Sequence, residues 1–133
     1  MTDVTETGEN LEKIMRHPLM SFGTDSLYSP EIRIPRSYSA AVELLSEYVV
    51  KKPVLTIEEA VRKMSGENAK RLGLRDRGTL EKGKVADLVL FDEKELKAEY
   101  NDGVKPGIKA VFVNGKCAVK DGAYTAGLFG KVL

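Results

Sequence analysis

A chain of 133 residues fits one ordinary domain and is long enough to bury a real core. Its 21 lysines and arginines balance 20 aspartates and glutamates, which excludes the basic field that gathers nucleic acid or anionic lipid at a surface. The single cysteine, Cys117, excludes an internal disulfide, and no apolar run approaches the roughly 20 residues of a membrane-spanning helix, so a soluble cytoplasmic protein is expected.

The first 13 residues are polar and acidic, where a secretory signal needs a basic end and an apolar stretch. Export is not expected. Leu11, Ile14 and Met15 fall at helical spacing up to Arg16, and Pro18 stops that helix. Residues 19–24 form a short apolar run of strand length that delivers a lone carboxylate, Asp25, to its C-terminal end. Two prolines and mixed polarity make residues 26–36 a loop.

Ala41, Leu44, Leu45, Tyr48 and Val49 recur at the spacing of an amphipathic helix that Pro53 closes. A second helix opens at Thr56, whose hydroxyl can cap an early N–H while Glu59 reaches back to the threonine amide; Ile57, Ala60, Val61 and Met64 give it one apolar face. A third, around residues 67–72, stops at Gly73. After Arg77 the period changes. Residues 79–81 are predicted as a short strand, 82–84 as a turn and 86–91 as a strand buried on both faces. Asn114-Gly115 between residues 108–113 and 116–120 is the strongest hairpin signal in the chain, because it suits the positive φ angles of a type I′ turn.

Several stretches resemble one enzyme superfamily. Arg77-Gly78-Thr79-Leu80-Glu81-Lys82-Gly83-Lys84-Val85-Ala86-Asp87-Leu88-Val89-Leu90-Phe91-Asp92 is similar to the re-entry into the small β-sandwich domain of amidohydrolases. His17-Pro18, Gly23-Thr24-Asp25, Pro35-Arg36, Pro106-Gly107-Ile108 and Val113-Asn114-Gly115 resemble the narrower N-acyl-D-amino-acid deacylase (D-aminoacylase) group. This resemblance implies an α/β fold: the C-terminal part of a metal-dependent hydrolase (β/α)8 barrel, its last strand and helices, over residues 1–76, then the C-terminal strands of a small β-sandwich over residues 77–133.

It also implies metal-dependent hydrolysis of a linear amide in N-acyl-D-amino acids or related small molecules, with zinc as cofactor. Asp25 matches the family's aspartate that touches the metal and acts as general base, since a divalent ion acidifies bound water and a neighbouring carboxylate can take its proton. Arg36 matches the family's partner for the substrate carboxylate, which a planar guanidinium binds bidentately. The family's remaining metal ligands, a His-x-His pair, a bridging Cys or Lys and two further histidines, have no counterpart here. A catalytic zinc needs about three protein ligands, so the segment is expected to work with a missing N-terminal barrel portion or a partner chain.

Blander readings stand beside these. An aspartate at a strand end is often a cap or turn residue, and Arg36 could be an ordinary surface arginine. His17, separated from Asp25 by eight residues spanning roughly 26 Å if extended, is expected to be structural. Cys117 is expected to behave as a small apolar residue. The rival functions are another amidohydrolase, dihydroorotase-like or a cyclic-imide hydrolase, or a non-catalytic remnant serving as an assembly module.

Overall fold

The computed structural model describes residues 8–27, 34, 36–98 and 103–132, with the helices first in the chain and the sheet last. Helix α1 spans Gly8–Arg16, with Glu9 in its first turn, Lys13 and Arg16 in its last, and Met15 buried. That charge order suits the helix dipole. Helix α2 spans Arg36–Leu45, starting five residues before the apolar run that announces it, and continues as a π-helical turn over Ser46–Lys51. The wider turn is closed by the Lys52 N–H on the Glu47 carbonyl at 2.8 Å, and Pro53 follows with no N–H to continue it.

Helix α3, Ile57–Met64, has the predicted reciprocal cap: the Glu59 N–H donates to Thr56 Oγ1 at 3.2 Å, and the Thr56 N–H to Glu59 Oε2 at 2.9 Å. Thr56→Ala is expected to lower stability by about 1 kcal/mol. A urea midpoint indistinguishable from wild type would show the cap contributes nothing. The buried face is rotated from the one the spacing suggests, with Ala60 and Lys63 inside at 0% and 1% exposure and Val61 outside at 41%. Helix α4, Gly66–Arg71, ends as expected at Gly73, whose φ is +71°.

Strands β1 (Leu88–Phe91), β2 (Ile108–Val113), β3 (Lys116–Lys120) and β4 (Ala123–Tyr124) form an antiparallel meander in that order. The predicted hairpin is present, with φ of 55° at Asn114 and 77° at Gly115. A second tight turn at Asp121-Gly122, with φ of 49° and 80°, adds β4, a strand the periodicity did not announce. The main core gathers Met15, Leu44, Leu45, Leu55, Ala60 and Leu96, and Phe91 and Ile108 bring the sheet onto it. No helix among the described residues is long and apolar enough to cross a membrane.

Three local expectations are corrected. Residues 19–24 are not a strand: Leu19 belongs to the turn after α1 and residues 20–24 are in no ladder, since no strand among the described residues lies beside them to supply one. Residues 79–81 are not a strand either: Thr79 Oγ1 donates to Glu81 at 2.7 Å and accepts from Lys84, which closes a side-chain-bonded turn. β1 is an edge strand rather than one buried on both faces, and Val89 and Leu90 are exposed. Among the described residues it has one neighbour, and Phe91 at its end is the residue of β1 that packs on the core. Most of the predicted loop, residues 28–33 and Pro35, lies outside the described residues.

Candidate active site

Asp25 ends the apolar, unladdered segment with a left-handed backbone, φ +49°, a conformation that aspartate adopts more readily than most residues. Its side chain is 85% exposed and stands 3.1 Å from Arg36 Nη2. Arg36 opens α2 and also donates through Nε to the Asp25 carbonyl at 2.8 Å. The structure therefore brings together the two residues that the sequence singles out. Next to Arg36, the Ser37 hydroxyl donates to the Leu27 carbonyl at 3.0 Å and accepts the Leu27 N–H at 3.2 Å, so the first turn of α2 holds residues 25–27 at both backbone and side chain. An exposed pair of this kind contributes about 0–1 kcal/mol, so it can open for a ligand.

The approach to Asp25 is held from the other side by α3 and α4. Lys63 Nζ donates to the His17 carbonyl at 2.7 Å and to the Met20 carbonyl at 3.4 Å, Asn68 Nδ2 donates to the Phe22 carbonyl at 2.9 Å, and an Arg71 N–H donates to the Leu19 carbonyl. The Phe22 N–H returns to the Lys63 carbonyl at 3.2 Å. Sequence reasoning passed over these residues, although a lysine three positions after the buried Ala60 was a signal. Burial lowers the Lys63 pKa; Arg62 and Arg71 push the same way, while Glu59 and Glu67 oppose.

His17 does not join Asp25 in a ligand cluster. Its Nδ1 accepts the Leu19 N–H at 3.2 Å, which makes it the cap of the turn after α1. Cys117 lies half-buried on β3 with its thiol on the Val119 carbonyl at 3.3 Å. In the long motif, Arg77 Nη1 binds Asp87 at 3.0 Å, and Asp87 accepts the Asn114 N–H at 2.8 Å, so these charges tie the motif to the hairpin turn. Bonding to Arg77 holds the Asp76 carboxyl below its usual range.

Among the described residues no group of three or more His, Cys, Asp or Glu side chains could hold a metal ion. Asp25 fits as one exposed carboxylate donor, and no complete set forms around it. Two surface clefts, one beside Asp92 and Lys109 and one between α4 and Arg77, include neither Asp25 nor Arg36.

The aspartate–arginine pair thus stands ahead of the helices and the small antiparallel meander in the chain. Residues 3–119 match the Amidohydrolase family, and the chain belongs to it. It is 36% identical over 120 residues to N-acyl-D-aspartate deacylase of Alcaligenes xylosoxydans xylosoxydans, an alignment covering 87% of this chain and 24% of that one. A crystal structure of D-aminoacylase superposes with a TM-score of 0.86 at 28% identity, covering 95% of this chain and 27% of the other. N-acyl-D-glutamate deacylase from Bordetella bronchiseptica, solved with zinc and a phosphonate mimic of the tetrahedral intermediate, superposes at 0.81 and 30% identity over 94% and 27%. The chain spans about a quarter of the length of these relatives.

Proposed function

We propose that this chain is the C-terminal segment of a zinc-dependent N-acyl-D-amino-acid deacylase, acting in the cytoplasm on a small N-acyl amino acid. The reading divides it into the end of the barrel domain, residues 1–76, and part of a β-sandwich domain, residues 77–133. The single observation that carries it is the Asp25–Arg36 pair, 3.1 Å apart at the end of an extended segment in a chain of this family. Asp25 takes the proton of the attacking water and passes it to the departing nitrogen, work that one exposed carboxylate can do in both directions. A zinc ion, when bound, supplies Lewis-acid polarisation and acidifies water. Among the described residues Asp25 is its candidate donor, and the other ligands come from the part of an amidohydrolase that this chain does not match, on the same polypeptide or a partner.

Arg36 uses two of its five N–H donors on Asp25, and the remaining ones can fork the carboxylate of the substrate. The test pairs this chain with the N-terminal three quarters of a D-aminoacylase and follows release of free D-amino acid. Arg36→Ala in that assembly is expected to raise KM about 10- to 100-fold, the value of a charge-assisted hydrogen-bond pair, with a smaller change in kcat. Equal hydrolysis of N-acyl-D-amino acids by wild type and R36A would sink the carboxylate-anchor reading. Preference for cyclic amides would favour the dihydroorotase-like rival.

A further inference from the structure

We propose that Lys63 and Asn68, with Arg71, are positioning residues for Asp25, holding with side-chain donors the backbone of the segment that leads to it. This inference rests on the deacylase reading for its catalytic consequence, though not for its geometry.

His17 to Leu19 form the turn after α1, and Met20 to Phe22 run on in no ladder among the described residues, so their carbonyls need donors from elsewhere. Side chains hold four carbonyls of this segment, those of His17, Leu19, Met20 and Phe22, and every one of these side chains belongs to α3 or α4, while the His17 carbonyl also accepts the Met20 N–H at 3.0 Å. The donors sit at helix positions 63, 68 and 71, which share one side of the α3–α4 pair. The Phe22 N–H bonds back to the Lys63 carbonyl, so the grip includes both edges of the residue nearest Asp25. Two residues, Gly23 and Thr24, separate that grip from Asp25, with Arg36 and Ser37 closing the far side.

A lysine that is 1% exposed is expensive to bury as a cation unless its N–H groups are used. Among the described residues its Nζ forms no ion pair, and its two acceptors are carbonyls of this one segment. Met would fill the same volume without that cost, and replacing buried charges by apolar residues is often neutral or stabilising. Keeping lysine at position 63 therefore makes sense as orientation of the segment rather than as core stability. Global stability is the wrong readout for it.

The test has two arms. In the 133-residue chain, Lys63→Met and, separately, Asn68→Leu are expected to speed amide hydrogen exchange at Phe22 through Asp25 about tenfold or more, with the β2–β3 hairpin amides unchanged. Unchanged exchange at Phe22 in both variants overturns the proposal. In the assembly with the complementary part of D-aminoacylase, the same variants are expected to lose about 10- to 100-fold in kcat with KM nearly constant, the signature of a misplaced reacting group. A loss confined to KM, or none, overturns the catalytic consequence. If the wild-type assembly itself hydrolyses no N-acyl amino acid, the deacylase reading fails, and the exchange arm still decides the positioning.

Discussion

Under the proposed function, Asp25→Asn is expected to lower kcat of the assembly with the N-terminal part of a D-aminoacylase about 10²- to 10⁴-fold with little change in KM, the loss typical of removing a general acid–base group. The substitution isolates proton transfer from everything else the residue does. Asparagine matches aspartate in shape, adopts the left-handed backbone of φ +49° as readily, and keeps an oxygen to accept from Arg36 Nη2. The Arg36 Nε bond to the carbonyl of residue 25 is untouched by the change. The side chain can no longer take a proton at neutral pH. Paired with R36A, the prediction separates two roles by their kinetics: the aspartate variant loses turnover, the arginine variant loses affinity. Turnover of D25N within about threefold of wild type would remove Asp25 from the chemistry, whatever else it touches.

How far the sequence could be read follows from which interactions are local. The Thr56–Glu59 cap and the Asn114-Gly115 turn depend on residues within four positions of each other, and both are found as expected. Asp25 and Arg36 were each singled out only through resemblance, and their contact was not legible, because nothing in the spacing of an aspartate and an arginine 11 residues apart says that a loop brings them together. The strand reading of residues 19–24 and the two-sided burial of β1 failed for a shared reason. Apolar runs report a preference for neighbours, and they cannot say whether those neighbours are in the chain. Lys63 was missed because its partners, His17 and Met20, lie more than 40 residues away and are backbone carbonyls, which leave no trace in residue type.

The largest expected effect on stability is at Gly107. Its φ is +87°, and a Cβ placed there would lie 2.7 Å from the Leu96 nitrogen, 2.8 Å from the Glu95 carbonyl carbon and 2.9 Å from the Leu96 Cα. All three are backbone atoms, so no flexible side chain can swing aside. The approach is close because the turn after β1 packs on the chain entering β2, with the Asp92 N–H on the Gly107 carbonyl at 2.8 Å. That contact seats Leu96, 5% exposed, among the helical core residues, and so couples the sheet to the layer that carries α2 and α3. Gly107→Ala combines left-handed strain with backbone overlap, each on the order of 1–3 kcal/mol, and is expected to destabilise by about 2–5 kcal/mol. Gly83→Ala is the matched control: its φ is +90° and nothing lies within 4 Å of the added methyl group, so it incurs the strain alone. Urea unfolding of the two variants should place the midpoint of G107A well below that of G83A. Equal midpoints would mean that the turn at Leu96 can shift to admit a methyl group, and that the seating of Leu96 does not depend on this close approach.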